Sequence, residues 1–208
     1  MKRTWGGMAG LAAVLAGAAC AGVVPARAAP EAQIVELKVV ELTQDRSRRG
    51  YGFDEKGGCE MPFANAAGKL RLEVKDGKVR ADTNGDGVID AKDAPAVKAQ
   101  GAVLKVNAQM GGGTFSYPIF VAQVMSAGRG QGYLMLASRA ALEGALDGRT
   151  VRLLDADMDG RFGGERDTIS FEGAGTDAAA AQPRAWSRVL ELERGLVSLE
   201  LMVGGRQL

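Results

Sequence analysis

Apolar and polar residues alternate with period two along several stretches of the chain. In Leu70-Arg71-Leu72-Glu73-Val74-Lys75 and Val197-Ser198-Leu199-Glu200-Leu201-Met202-Val203, one set of side chains turns to an interior and the other to water. Similar patterns run over Val35 to Leu42, Val103 to Ala108, Phe115 to Val124, Tyr133 to Ala137, Val151 to Leu154, Thr168 to Phe171 and Arg188 to Leu192. Turn signals part them: Asp76-Gly77, Gly111-Gly112-Gly113, Asp147-Gly148, Arg194-Gly195 and Gly204-Gly205. The pattern predicts a mainly β fold of antiparallel sheets, either sandwich-like or two packed β subdomains dividing near residue 100. Short helices are expected only around Ala94 to Gln100 and Ser138 to Leu146. Pro118 cannot donate to a ladder and marks an edge or a bulge. Residues 173 to 185, GAGTDAAAAQPRA, read as a flexible connection between strands.

The first 28 residues follow another logic. Lys2 and Arg3 precede an apolar run too short and small-residued for a membrane span, and Ala26-Arg27-Ala28 supplies an A-x-A exit. This predicts a secretory signal peptide over residues 1 to 28, excluded from the fold, and a β-rich domain over residues 29 to 208. The product is expected outside the cytoplasm: periplasmic, on the cell surface or released. Lipidation at Cys20 is the lesser alternative, because Gly17 stands where a lipobox wants a large aliphatic residue. No later apolar stretch is long enough to span a bilayer.

Removing that segment changes the bulk chemistry. Losing Lys2, Arg3 and Arg27 takes the formal charge from +1 to −2, which leaves no basic field for nucleic acid. Cys59 is then the only cysteine, so no internal disulfide forms, and a lone cysteine is most simply a small buried apolar group. The chain has no histidine. That excludes Ser-His and Cys-His nucleophilic pairs, imidazole acid-base chemistry and His-ligated zinc or iron.

What remains is carboxylate chemistry, concentrated in Asp82–Asp93, DTNGDGVIDAKD, and in DADMDGRFGGERD, which begins at Asp155. An EF-hand-type loop draws oxygen ligands from positions 1, 3, 5, 7, 9 and 12, with glycine at position 6 and a backbone carbonyl at position 7. From Asp82 the slots are filled by Asp82, Asn84, Asp86, the Val88 carbonyl, Asp90 and Asp93, with Gly87 at the turn. Carboxylates so close repel one another unless a divalent cation lies between them, and calcium accepts six to eight oxygens in tolerant geometry. Asp93 is one methylene shorter than the usual glutamate, which lowers affinity or admits magnesium at this loop. The second loop supplies Asp155, Asp157, Asp159, the Arg161 carbonyl and, as closing carboxylate, Asp167 or Glu165. It diverges at Gly163 and Arg166. The competing reading is a metal-free Asx-rich turn for the first loop and a strand-to-strand acidic turn for the second.

DTNGDGVIDAKD resembles the calcium loops of bacterial EF-hand-like proteins and of dockerin modules, which share the D-x-N-x-D-G start and the closing aspartate. The likeness covers about a dozen residues, and the context differs, since dockerins pair their loops closely with a helix after each. VRLLDADMDGRFGGERDTI, with ALEGALDG before it, is similar to a pattern in uncharacterised secreted bacterial proteins. There the likeness implies Phe162 as the aromatic and Asp167 as the closing ligand, and it carries no activity. Here strands lead into both loops, so the metal is expected to act as a clasp between strand ends rather than as a sensor.

Three functions are consistent with these features. The first is an exported, non-catalytic, calcium-clasped envelope or surface module whose partner is a macromolecule the sequence does not specify. The second is a carboxylate-dependent hydrolase drawing on Asp54, Glu55, Glu60 or Glu172, which would need two such groups at a set separation in a cleft. The third is a calcium-responsive regulator, which would need helices flanking Asp82.

Overall fold

In the computed structural model, the described residues are 11–16, 33–43, 48–54, 56–125, 132–146, 148–173, 182–192, 195–203 and 206–207. Strands carry most of them. In chain order they are β1 (Leu11–Ala16), β2 (Gln33–Glu41), β3 (Arg48–Gly52), β4 (Gly58–Pro62), β5 (Lys69–Lys75) and β6 (Lys78–Ala81). Then come β7 (Val97–Lys98), β8 (Ala102–Met110), β9 (Gly113–Met125), β10 (Gly132–Ser138), β11 (Ala140–Leu146) and β12 (Arg149–Leu154). The series ends with β13 (Thr168–Glu172), β14 (Arg184–Ala185), β15 (Val189–Leu192), β16 (Gly195–Val203) and β17 (Arg206–Gln207).

Among the described residues every pairing is antiparallel, in three sheets. One runs β14-β13-β12-β11-β2-β1-β16-β15 with β17 on β16, a second runs β3-β10-β9-β8, and a third runs β4-β5-β6-β7. The mainly β antiparallel fold that the alternation predicts is what the chain adopts. One contiguous buried cluster joins the sheets, from Val35 and Met61 through Leu70, Val106, Ile119 and Leu136 to Leu153, Phe171 and Leu199. Alternation does the sorting: along β8, Leu104, Val106, Ala108 and Met110 are buried while Lys105, Asn107 and Gln109 face out.

Turn chemistry is local. Asp76 and Gly77 have φ of 51° and 68°, the paired left-handed geometry that matches hairpin twist, and they join β5 to β6. Pro118 lies in β9 opposite Lys105 of β8, one residue beyond the point where pairing with β10 stops at Ile119. Its missing N–H therefore costs the second ladder nothing.

Two expectations are corrected. The Ser138 to Leu146 segment is not a helix: residues 140 to 146 form β11, between β12 and β2. Gly144 explains why that strand can sit so close to its neighbour, since a Cβ there would lie 2.7 Å from the Glu36 carbonyl oxygen. Ala94 to Gln100 is likewise not helical and contributes the short β7. Residues 11–16, inside the segment expected as a signal peptide, form β1, paired with β2 on one side and β16 on the other. A run of small aliphatic residues carries no group that opposes backbone pairing. No helix among the described residues is long and apolar enough to cross a membrane. Cys20, Glu55 and most of the 173–185 connection lie outside the described residues.

Candidate metal centre

Both acidic loops close hairpins. Asp82 follows β6, and the chain returns as β7, which pairs with β6 through Val79 and Val97. Asp155 follows β12, and the chain returns as β13 with Leu154 opposite Thr168. A strand, not a helix, leads into each loop, as the flanking sequence predicts.

The two loops fold alike at their start. Asp82 is buried, and its carboxylate accepts the amides of Gly85 (2.8 Å), Asp86 (3.1 Å) and Gly87 (2.8 Å). Asp155, also buried, accepts those of Met158 (2.6 Å) and Gly160 (2.8 Å). In each loop the fourth and sixth residues are left-handed: Gly85 (φ 79°) and Gly87 (φ 93°), Met158 (φ 59°) and Gly160 (φ 81°). Only left-handed backbone there turns these amides back onto the first carboxylate. Met158 tolerates a conformation that disfavours side chains by about 1–2 kcal/mol because its own side chain is fully buried.

They differ in where the other carboxylates go. Oxygen atoms of Asp155, Asp157 and Asp159 lie within 4.8 Å of one another, the one such acidic group among the described residues. The triad can hold a metal ion, and the donor set is oxygen only, suited to a hard cation. A carboxylate offers about four lone-pair positions. Asp155 uses three, for Met158, Gly160 and the Tyr117 hydroxyl, Asp159 uses one for the Arg161 amide, and Asp157 uses none among the described residues. Capacity for a cation remains where the three converge.

In the first loop the carboxylates are directed at the loop itself. Asp93 accepts from the Thr83 amide (2.7 Å), the Thr83 hydroxyl (3.1 Å) and the Asn84 amide (3.2 Å) on Oδ1 and from the Asp90 amide (2.9 Å) on Oδ2, four donors of its own loop. Asp86 accepts from the Val88 amide and Asn84 Nδ2, and Asp90 accepts from the Lys92 amide. Val88, assigned a carbonyl ligand by its position, is 54% exposed. Asp82, Asn84, Asp86, Asp90 and Asp93 thus occupy one loop, but its carboxylates are not gathered as Asp155, Asp157 and Asp159 are.

Asp167 plays the part of Asp93. It accepts the Ala156 amide (3.0 Å), just as Asp93 accepts the amide after Asp82, and also those of Gly163 (2.7 Å) and Gly164 (2.9 Å). It closes the second loop through backbone amides, outside the triad. Arg161 is exposed with its amide on Asp159, and Phe162 is buried in an aromatic group with Phe115 and Tyr117.

Electrostatics follow the burial. Desolvation raises Asp155 to about 7, against the lowering effect of the Tyr117 hydroxyl and with a further rise from the Asp167 charge. Asp167 is raised to about 6, again first by burial, opposed by its amide donors. For Asp93 burial acts upward but is outweighed by the amides of Asp90, Asn84 and Thr83, so it lies below the usual carboxylate range.

Two features escape pattern reading. Tyr117, fully buried in β9, donates to Asp155 Oδ2 at 2.7 Å, with Ser138 Oγ 2.8 Å from the same hydroxyl. The turn from Phe63 to Gly68, between β4 and β5, holds both loops: the Ala64 amide donates to the Asp159 carbonyl (2.6 Å) and the Ala67 amide to the Gly85 carbonyl (3.0 Å). Gly160 is needed beside it, because a Cβ there would meet the Phe63 ring at 2.9 Å.

The carboxylates considered for hydrolysis sit elsewhere. Glu60 pairs with Lys69 and Arg71, Glu172 pairs with Arg152, and Asp54 is exposed, its carboxyl lowered by the amides of Gly58 and Lys56. Cys59 packs against the core, and burial raises its thiol to about 11. No family model, curated protein or solved structure matches the chain.

Proposed function

We propose that the chain is an exported, non-catalytic calcium-binding protein in which a cation at the second acidic loop fastens β12 to β13. The convergence of Asp155, Asp157 and Asp159 at the end of a paired strand carries this reading. Calcium is favoured over magnesium because it accepts more oxygens in looser geometry, and extracellular sites work at dissociation constants of about 10⁻⁴–10⁻³ M. A cation bound to the folded state alone at a hundredfold excess over its dissociation constant adds about 2.7 kcal/mol, in a chain whose signal peptide, once removed, leaves no second cysteine.

A second reading applies to the first loop and has its own support. Asp93 is held by four donors of its own loop, so Asp82–Asp93 works as a metal-free clasp, and ligation of calcium or magnesium through Asp93 Oδ1 would displace some of them. The EF-hand-like resemblance then belongs to loop shape in the first loop and to ligation in the second.

Calorimetric titration of the protein with calcium, repeated on Asp157→Ala and Asp93→Ala, tests both readings. Asp157 carries no hydrogen bond among the described residues, so its removal reports on ligation and leaves the loop's own bonds intact. Loss of binding in Asp157→Ala with the melting temperature of the chelated protein unchanged supports the ion site. Equal binding by wild type and Asp157→Ala, or none by either at millimolar calcium, defeats it.

A further inference from the structure

A cleft of about 470 Å³ opens beside the second loop, within the 300–1,000 Å³ range of small-molecule sites. Its apolar wall is made by Phe162, Trp186 and Leu199, and the loop's own Gly163 and Gly164 form part of its boundary. Without Cβ atoms these glycines let a ligand approach the backbone closely. Trp186 is half-buried, and its amide donates to the Asp167 carbonyl at 2.7 Å, so the residue closing the acidic loop also positions the indole.

The polar rim decides the ligand class. Arg161 and Arg188 form no ion pair among the described residues, and Asp159, Glu200 and Gln109 line the same cleft. An anion would meet the Glu200 carboxylate and a loop whose three carboxylates outweigh the charge of one dication, and a cation would meet two guanidiniums. A neutral ring bearing many hydroxyls satisfies both, because each hydroxyl accepts from a guanidinium and donates to a carboxylate or amide oxygen. The C–H face of a pyranose packs on an indole as other apolar surface does. We infer that this cleft is a saccharide-binding subsite for a neutral oligosaccharide segment, with Trp186 as platform and Arg161, Arg188 and Gln109 as hydroxyl partners.

The inference rests on the calcium reading only in that the loop forms one wall of the cleft, and the two fail separately. Titration with calcium alone reads the loop; titration with sugar in saturating calcium reads the cleft. The chain has two tryptophans, so a Trp5→Phe background makes Trp186 the sole indole. The probes are cellohexaose, chitohexaose and a galacturonic acid hexamer. The expected result is a saturable change in Trp186 emission with a neutral oligomer, weakened at least tenfold by Arg188→Ala and by Gln109→Ala, both exposed and removable without opening the core. Absence of a saturable change with either neutral oligomer, binding of the acidic hexamer alone, or unaltered affinity in both variants overturns the inference.

Discussion

Asp155 makes the sharpest prediction because burial and ligation act on it with opposite sign. Its carboxyl titrates near pH 7 when folded and near 3.9 in an unfolded chain, a difference of roughly 3 units or about 4 kcal/mol. A folded pKa raised above the unfolded one gives stability that is complete below about pH 4 and is lost as pH climbs through 7. Asp167, raised to about 6, adds a smaller loss of the same sign over a lower window. Asp93 has the opposite sign, but its depressed carboxyl acts only below about pH 4, so a scan from pH 5 to pH 8 leaves it out. A scan from pH 5 to pH 8 crosses only roughly 2 of those units, about 3 kcal/mol, which for a domain of this size corresponds to on the order of 10 °C in melting temperature. Protein stripped with chelator is therefore expected to melt higher at pH 5 than at pH 8. Calcium reverses the trend, since a dication favours the ionised carboxylates and protons compete with it. Differential scanning calorimetry at four pH values, with chelator and with millimolar calcium, measures both slopes. A chelated protein whose melting temperature is flat or rises from pH 5 to pH 8 would refute the account of Asp155 as a buried, ion-seeking carboxylate.

The other predictions concern single groups. Tyr117→Phe removes the hydroxyl donor to Asp155 and should cost about 1–3 kcal/mol in urea unfolding at pH 8, falling as the pH drops and the carboxyl becomes neutral. Asp93→Ala frees the amides of Thr83, Asn84 and Asp90 and should cost about 1–2 kcal/mol with or without calcium, whereas Asp157→Ala should lower stability only when calcium is present. Met158→Gly relieves about 1–2 kcal/mol of left-handed strain but deletes a fully buried side chain worth about 2–5 kcal/mol, so chemical denaturation should show a net loss. In a chain beginning at Ala29, the β2 and β16 amides that face β1 should exchange faster than in the full chain, as read by hydrogen exchange.

Period-two alternation made β5 and β8 legible, because one face of each meets the core and the other meets water. β11 was not legible. AALEGAL combines good helix formers, and only its place between β12 and β2 forces it to extend, a choice made by tertiary contacts that local propensity does not contain. The acidic loops were visible as loops, yet slot matching favoured the Asp82 loop while the convergent carboxylates are in the Asp155 loop. Matching registers which residue stands at a position; it does not register that Asp93 is engaged by amides from both ends of its own loop. Tyr117 was beyond reach for a related reason, since it meets Asp155 from 38 positions away through sheet packing. One signal was available for Met158: it stands where the first loop has Gly85.

The turn from Phe63 to Gly68 gives the two loops a common support, with Ala64 bonded to one and Ala67 to the other. Whatever steadies one loop removes part of the entropy that the same turn must lose to steady its counterpart. If the proposed cation orders the second loop, the first is steadied through the same turn, and thermodynamic reciprocity makes that coupling equal in both directions. A six-residue connection between two strands would in this way link the two loops.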